Sequence, residues 1–355
     1  MSDSAIADNA AALPLHETQS SRGLLSQESL RVETLRGLAC VLLVAFHVIG
    51  SHASSGLRVD EHSLYRQFAN LLTHLRMPLF TFLSGFVYAY RPALQGHAGA
   101  FAARKLARLL LPLICVSTLY FLLTLAVSEA TGKMPLQQMW RIYVFPYVHF
   151  WFLQAILLVF CAVLVLESLQ LLANLWRYLA VLALAMALHL YVRLENAENA
   201  MFSAVQAIYL APFFLLGLGA NRFRASLLQP PVIWLSVACF LGAMTVYSIA
   251  VATHGHIAEP GTAIGLLIGV SGTLTLIYFF PHLKALELLG AYSFTIYLFH
   301  PFFVASTRAI LKFAQVTSTE LGFVIGLAAG VLGPPLLEAA LRSMPVSRRL
   351  LLGQR

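Results

Sequence analysis

The sequence predicts an all-α integral membrane protein with about ten transmembrane helices and both termini on the cytoplasmic side. Three observations predict it. Apolar residues of the AVILMFWYC set make up 59% of the 355 residues and charged residues only 11%, where a soluble domain carries roughly 25% charged residues, so lipid is the natural solvent for most of the side chains. Ten apolar stretches are long enough for a hydrocarbon core of ~30 Å, which needs ~20 helical residues. The basic residues fall in short clusters between those stretches and not in one block. For that reason the net charge of +8 reads as membrane orientation and not as nucleic-acid binding.

In chain order, residues 1–30 are polar and rich in Ala and Ser. They lack the apolar core of a cleavable signal peptide and are expected to be a disordered cytoplasmic tail. A transmembrane domain is expected over residues 31–345, followed by a basic cytoplasmic tail at 346–355. The apolar stretches lie near 34–51, 71–90, 106–128, 150–169, 176–192, 202–220, 231–252, 261–280, 289–311 and 320–341. The fifth is short and contains His189. Breakers separate them: Arg91-Pro92 after the second, Gly132 and Pro135 after the third, Pro230-Pro231 opening the seventh and Pro281 closing the eighth. No repeat of 20–50 residues and no soluble domain is visible. With the N-terminus inside, 15 of the 23 Lys and Arg fall on the inner side and 8 on the outer side. That ratio favours N-in and C-in, and with it an even number of spans.

Cys40, Cys115, Cys161 and Cys239 all lie in apolar runs without a C-x-x-C pair, so buried free thiols are expected, with no disulfide framework and no metal site. His254 and His256 are close together, but no third ligand accompanies them.

Ionisable side chains inside spanning helices are costly and point to function. The first helix carries Arg36 and His47, eleven residues apart. At 100° per residue both face the same way, about 16 Å apart along the axis. One face would hold an anion at the inner mouth and a proton acceptor in the outer half of the membrane. The alternative is a snorkelling Arg with a hydrogen-bonded buried His. An imidazole can take a proton from a hydroxyl or form an acyl adduct. The second helix begins with Arg76 and carries Ser84-Gly85, which favours close helix packing over a nucleophilic role for Ser84. Before the third, Arg104, Lys105 and Arg108 would share one helical face, suited to phosphates or to the positive-inside signal itself. His149 and Trp151 open the fourth helix, where aromatics usually form an interfacial belt. His300 precedes Pro301 in the ninth and reads as a hydrogen-bonder at a kink.

Taken in order, these segments resemble the acyltransferase-3 family of membrane acyltransferases, which O-acylate carbohydrates. Leu35 to His47 is similar to the family's Arg, ten residues, His signature. Met77 to Phe86, Arg104 to Pro112, His149 to Leu153, Leu289 to Pro301 and Met344 to Gly353 resemble its further motifs, so the likeness runs from about residue 31 to the C-terminus. The resemblance implies an acyl-CoA donor, acetyl-CoA first among them, no bound cofactor, and an acceptor hydroxyl on a lipid-linked or cell-surface carbohydrate such as exopolysaccharide or O-antigen. It also implies the plasma (cell inner) membrane as location and membrane lipid as a partner. Arg36 and His47 become the essential pair, with Arg104, Lys105 and Arg108 holding acyl-CoA. Arg76, Ser84, His149, Trp151 and His300 become acceptor-side or structural residues. The family's basic R-x-x-R falls here on Lys105 and Arg108, so the bidentate fork of its first Arg is lost. The phenylalanine that often follows "PLF" is Thr81. The fused SGNH-type hydrolase domain of some relatives is not expected. A transporter or flippase of a glycan precursor is the rival class; against it stand the lack of an inverted repeat and the basic clusters on one side only.

Overall fold

The computed structural model describes residues 15–90, 98–126, 133–192, 194, 197–254 and 261–353. The described residues form a helical bundle. Its long helices are α1 (Leu15–Ile49), α3 (Thr73–Tyr90), α4 (Ala98–Ala126), α6 (Trp151–Ser168), α7 (Leu175–Tyr191), α8 (Ala204–Arg222), α10 (Pro230–His254), α11 (Ala263–Phe279), α13 (Ser293–Phe313) and α14 (Thr319–Leu341). Five short helices connect or flank them: α2 (Leu64–Leu71), α5 (Arg141–Val144), α9 (Arg224–Leu227), α12 (Lys284–Ala291) and α15 (Pro345–Leu352).

Among the described residues, seven helices are long and apolar enough to cross a membrane, and an eighth if α11 and α12, bent by 118° at Pro281, count as one span. The chain is a multi-pass integral membrane protein. The other stretches expected to cross are also helices. α7 has only 17 residues, and α3 carries His74, Arg76 and Pro78 in its first half, which dilutes its apolar character. The first spanning stretch starts at Glu28, and Glu28 forms an ion pair with Arg224. The packed body therefore begins before residue 31, and residues 1–14 lie outside the described residues.

Two crossings are set by glycine. A Cβ on Gly85 would overlap the carbonyl of Phe214, and a Cβ on Gly217 the carbonyl of Phe82. α3 and α8 therefore touch backbone to backbone. Gly37 and Gly290 do the same for α1 and α12, meeting the backbones of Leu286 and Glu33.

Polar contacts tie the two ends of the bundle separately. At one end Arg222 pairs with Glu167 at 2.6 Å and donates to the carbonyl of Leu172, and a Cβ at Gly353 would lie 2.5 Å from the carbonyl oxygen of Arg108. At the other end the fully buried Arg66 donates to the carbonyl of Gly50, and Arg141 donates to Asn199 Oδ1 at 3.2 Å.

The four cysteines are free, but only Cys40 is buried; Cys115 and Cys239 are half-buried and Cys161 is exposed on the surface of the bundle. The expectation of uniform burial fails because an apolar run in a spanning helix has a lipid-facing side as well as a core side, and a thiol suits either.

Candidate active site

The side chains that do not belong in lipid converge near the end of α1. His47 lies in the last turn of α1, which ends at Ile49 before Gly50 in a left-handed conformation (φ +92°). Its ring centroid is 4.6 Å from that of His300 on α13 and 6.3 Å from that of His149, just ahead of α6. His149 and His300 are 5.4 Å apart. Three imidazoles from three separate elements thus meet at one spot, His149 and His300 buried and His47 half-buried.

Their hydrogen bonds fix which nitrogen is available. His47 Nδ1 is 2.9 Å from the carbonyl oxygen of Leu43. A carbonyl only accepts, so Nδ1 carries the proton and, in the neutral ring, Nε2 carries the lone pair. His300 repeats the arrangement, donating from Nδ1 to Ile296 O at 2.8 Å and Tyr297 O at 2.9 Å. Pro301 explains the second bond. It has no N–H, so the carbonyl four residues back, that of Tyr297, loses its helical donor, and His300 replaces it. The kink role expected for His300 is therefore visible, and its Nε2 is still buried without a hydrogen-bond partner. Both ring nitrogens of His149 are in the same state. Its backbone carbonyl accepts from the Tyr297 hydroxyl, and its ring sits 3.9 Å from Phe150 and 5.9 Å from Tyr120.

Arg76 borders this cluster. Its guanidinium carbon lies 3.6 Å from the centroid of Phe46, and Phe46 in turn packs edge-on against His47 at 5.3 Å. Arg76 is buried, with Nε unpaired. With no carboxylate paired to it among the described residues, the buried guanidinium is a standing positive charge beside the imidazoles.

Arg36 lies three helical turns back along α1 from His47, half-buried and 2.5 Å from Glu33 Oε1. Arg108 is exposed, its guanidinium carbon 5.9 Å from the Phe294 ring. Arg104 and Lys105 belong to the backbone of α4, and their side chains lie outside the described residues. Ser84 bonds back to Phe80 O at 2.9 Å in its own helix. Trp151 contacts Phe152 and not the cluster. The side chain of His254 and all of His256 lie outside the described residues. Among the described residues no group of His, Cys, Asp and Glu is arranged to hold a metal ion.

Sequence reasoning missed several contributors. Tyr297 is three residues before His300, a spacing that puts both on one helical face, and this signal was available. Gln154 is fully buried, binds the carbonyls of Tyr143 and Phe145 at 3.1 and 3.3 Å, and accepts from Ser203 at 2.6 Å. Arg66 and Glu338 are buried polar residues in segments read as a loop and as a helix end; Thr295 donates to Glu338.

A family model for an acyltransferase domain matches residues 30–339, most of the chain. Comparisons with curated proteins and with solved structures give no match. A family match over this length, on a bundle that gathers three imidazoles and a buried guanidinium inside the membrane, makes the chain a membrane acyltransferase of the acyltransferase-3 family.

Proposed function

We propose that the protein transfers an acyl group, acetyl in the first instance, from cytoplasmic acyl-CoA to a carbohydrate hydroxyl on the far side of the plasma (cell inner) membrane. In this reading the chain crosses ten times with both termini inside. The observation that carries it is the disposition of α1, with Arg36 three turns before His47, where His47 and His300 both pin Nδ1 and their rings lie 4.6 Å apart.

Arg36, Arg104, Lys105 and Arg108 hold the phosphates of acyl-CoA at the inner mouth, and the narrow pantetheine arm reaches between helices toward His47. The acceptor oxygen attacks the thioester carbonyl and a C–O bond forms. Its proton passes to His47 Nε2, the C–S bond breaks, and the proton ends on the departing thiolate. In the two-step version Nε2 itself takes the acyl group, and the hydroxyl then displaces it. In either version negative charge develops on the carbonyl oxygen, where Arg76 supplies the compensating cation.

The test uses purified protein, labelled acetyl-CoA and a carbohydrate acceptor. His47→Ala is expected to insert normally and lose label transfer, and Arg36→Ala to weaken acetyl-CoA binding several-fold. Full transfer by His47→Ala refutes the role of His47. Unchanged acetyl-CoA affinity in Arg36→Ala refutes the donor assignment. Movement of a glycan precursor without release of free CoA would favour a transporter.

A further inference from the structure

A cavity of about 280 Å³ opens at the His47 end of the bundle, lined by Met134, Arg141, Ile142, Phe145, Pro146, Tyr147, Glu198 and Asn199. It belongs to neither the histidine cluster nor the basic end, and none of its lining residues was singled out in the sequence. Two loops make its walls, one running from α4 to α6 and the other from α7 to α8. Four hydrogen bonds hold the walls together. Arg141 Nη2 donates to Asn199 Oδ1 at 3.2 Å. Gln154, fully buried below, donates to the carbonyls of Tyr143 and Phe145 and accepts from Ser203 on the facing loop. A buried glutamine that satisfies both walls fixes their spacing.

The lining combines two chemistries. Arg141, Glu198 and Asn199 offer a guanidinium, a carboxylate and an amide within one small opening, the last two on exposed residues. Tyr147 and Phe145 supply ring faces, with Arg141 stacked 4.6 Å over Phe145, and the exposed Trp140 stands beside them, 5.9 Å from Phe145. Burial pushes the Tyr147 phenol up to about 12, so it stays a neutral hydroxyl. A purely anionic ligand would not choose a site containing Glu198, and an acyl chain would not choose one so polar. Donors and acceptors beside aromatic faces suit a ring that carries vicinal hydroxyls on its edge and C–H groups on its face, which is a pyranose. The volume is at the small end of ligand pockets, ~300–1,000 Å³, enough for one sugar residue of a longer chain.

The cavity also leads to the chemistry. Tyr147 stacks parallel on Phe150 at 6.3 Å and meets Tyr120 edge-on at 6.1 Å. Phe150 and Tyr120 both contact the ring of His149. Two ring contacts therefore separate the cavity wall from His149 of the histidine cluster.

We infer that this cavity is the acceptor saccharide subsite, recognising one uncharged pyranose residue next to the one that is acylated. The inference rests on the acyl-transfer reading above.

The experiment uses the purified full-length protein in lipid nanodiscs and a panel of neutral tri- to pentasaccharides. Fluorescence of Trp140 reports binding, with Trp140→Phe as the blank. Free-thiol release from labelled acetyl-CoA and transfer of label to the saccharide are followed in parallel. Arg141→Gln and Asn199→Ala are each expected to weaken saccharide binding and raise the acceptor KM at least tenfold, with the acetyl-CoA KM unchanged. An unchanged acetyl-CoA KM also shows that the variants are folded. Unaltered saccharide binding and acceptor KM in both variants overturns the subsite while the transfer reading stands. Saccharide binding that both variants lose, in a wild-type protein that never transfers label, supports the subsite and overturns the transfer reading. Failure of every panel member to perturb Trp140 while label is transferred overturns the subsite.

Discussion

His300 carries two roles that a pair of substitutions can separate. Its Nδ1 replaces the helical donor that Pro301 removes from the Tyr297 carbonyl, and its Nε2 is buried with no partner of its own in a ring 4.6 Å from that of His47. In His300→Ala the Tyr297 carbonyl is left without a donor in a fully buried position, costing about 1–3 kcal/mol. The lost imidazole adds a cavity term of about 2 kcal/mol, for a total of about 3–5 kcal/mol. The Ile296 carbonyl loses less, because as an ordinary helical acceptor it retains the backbone N–H of residue 300. In His300→Asn the side-chain amide nitrogen occupies the place of Nδ1, so the donor survives and only the cavity remains, about 1–2 kcal/mol. Thermal unfolding in detergent should rank wild type above Asn and Asn above Ala. Activity should rank differently. If Nε2 takes part in proton transfer, both variants lose on the order of 10²-fold or more in kcat, and Asn rescues stability without rescuing rate. A His300→Asn protein with wild-type kcat would refute the catalytic part of the argument. A His300→Ala protein as stable as His300→Asn would refute the Tyr297 part.

Arg76→Gln should lower kcat about 10²-fold, the usual loss of one oxyanion donor, at unchanged acetyl-CoA KM. Arg76→Lys should lie between, since it keeps the charge and loses the planar stacking over Phe46; a normal kcat in Arg76→Gln would remove this residue from the chemistry. Gly85→Val should destabilise the bundle by about 3 kcal/mol, the upper end of overpacking, because the obstacle is the Phe214 carbonyl and backbone cannot step aside. Thermal unfolding and the yield of folded protein measure it, and a variant with wild-type stability would refute the backbone contact of α3 and α8.

What the sequence disclosed and what it hid follow from the range of the interactions. Helices announce themselves locally. Each apolar stretch satisfies its own backbone in lipid, so each of the ten expected stretches forms a helix over most of its described residues, including α3 despite His74 and Arg76. The same-face placement of Arg36 and His47 is equally local, since it needs only the helical period. The neighbours of His47 are another matter. His149 and His300 are 102 and 253 residues further along the chain, and no spacing rule connects them. Each was visible alone, one within an aromatic belt and one at a proline kink, and only the packing of α1 against α13 and the loop before α6 makes them a cluster. The cavity between the two loops was hidden for the same reason. Its walls are two loops joined by Gln154, an uncharged residue inside an apolar helix that carries no motif. Glycine contacts sit between these cases: Gly85 stood out beside Ser84, whereas its partner Gly217 lies in an unremarked apolar run.

The two versions of acyl transfer need different numbers of bases. In direct transfer a single imidazole accepts the hydroxyl proton and passes it to the thiolate, and a second bare Nε2 has nothing to do. In the two-step version the first imidazole is consumed as the acyl carrier, so its lone pair is no longer free when the acceptor arrives. Some other group must then take the hydroxyl proton. His300 presents such a lone pair 4.6 Å ring to ring from His47, with Nδ1 already committed to the helix and Nε2 the nitrogen left over. A structural imidazole needs one anchored nitrogen only. Leaving the second one buried without a partner costs stability, and that cost is easiest to understand if Nε2 acquires a partner during turnover. The two-step route uses both nitrogens, and the His300→Asn variant tests it. Under direct transfer by His47 alone, the Asn variant keeps its rate. Under the two-step route it still releases CoA once, loading His47, and then stalls before the acceptor.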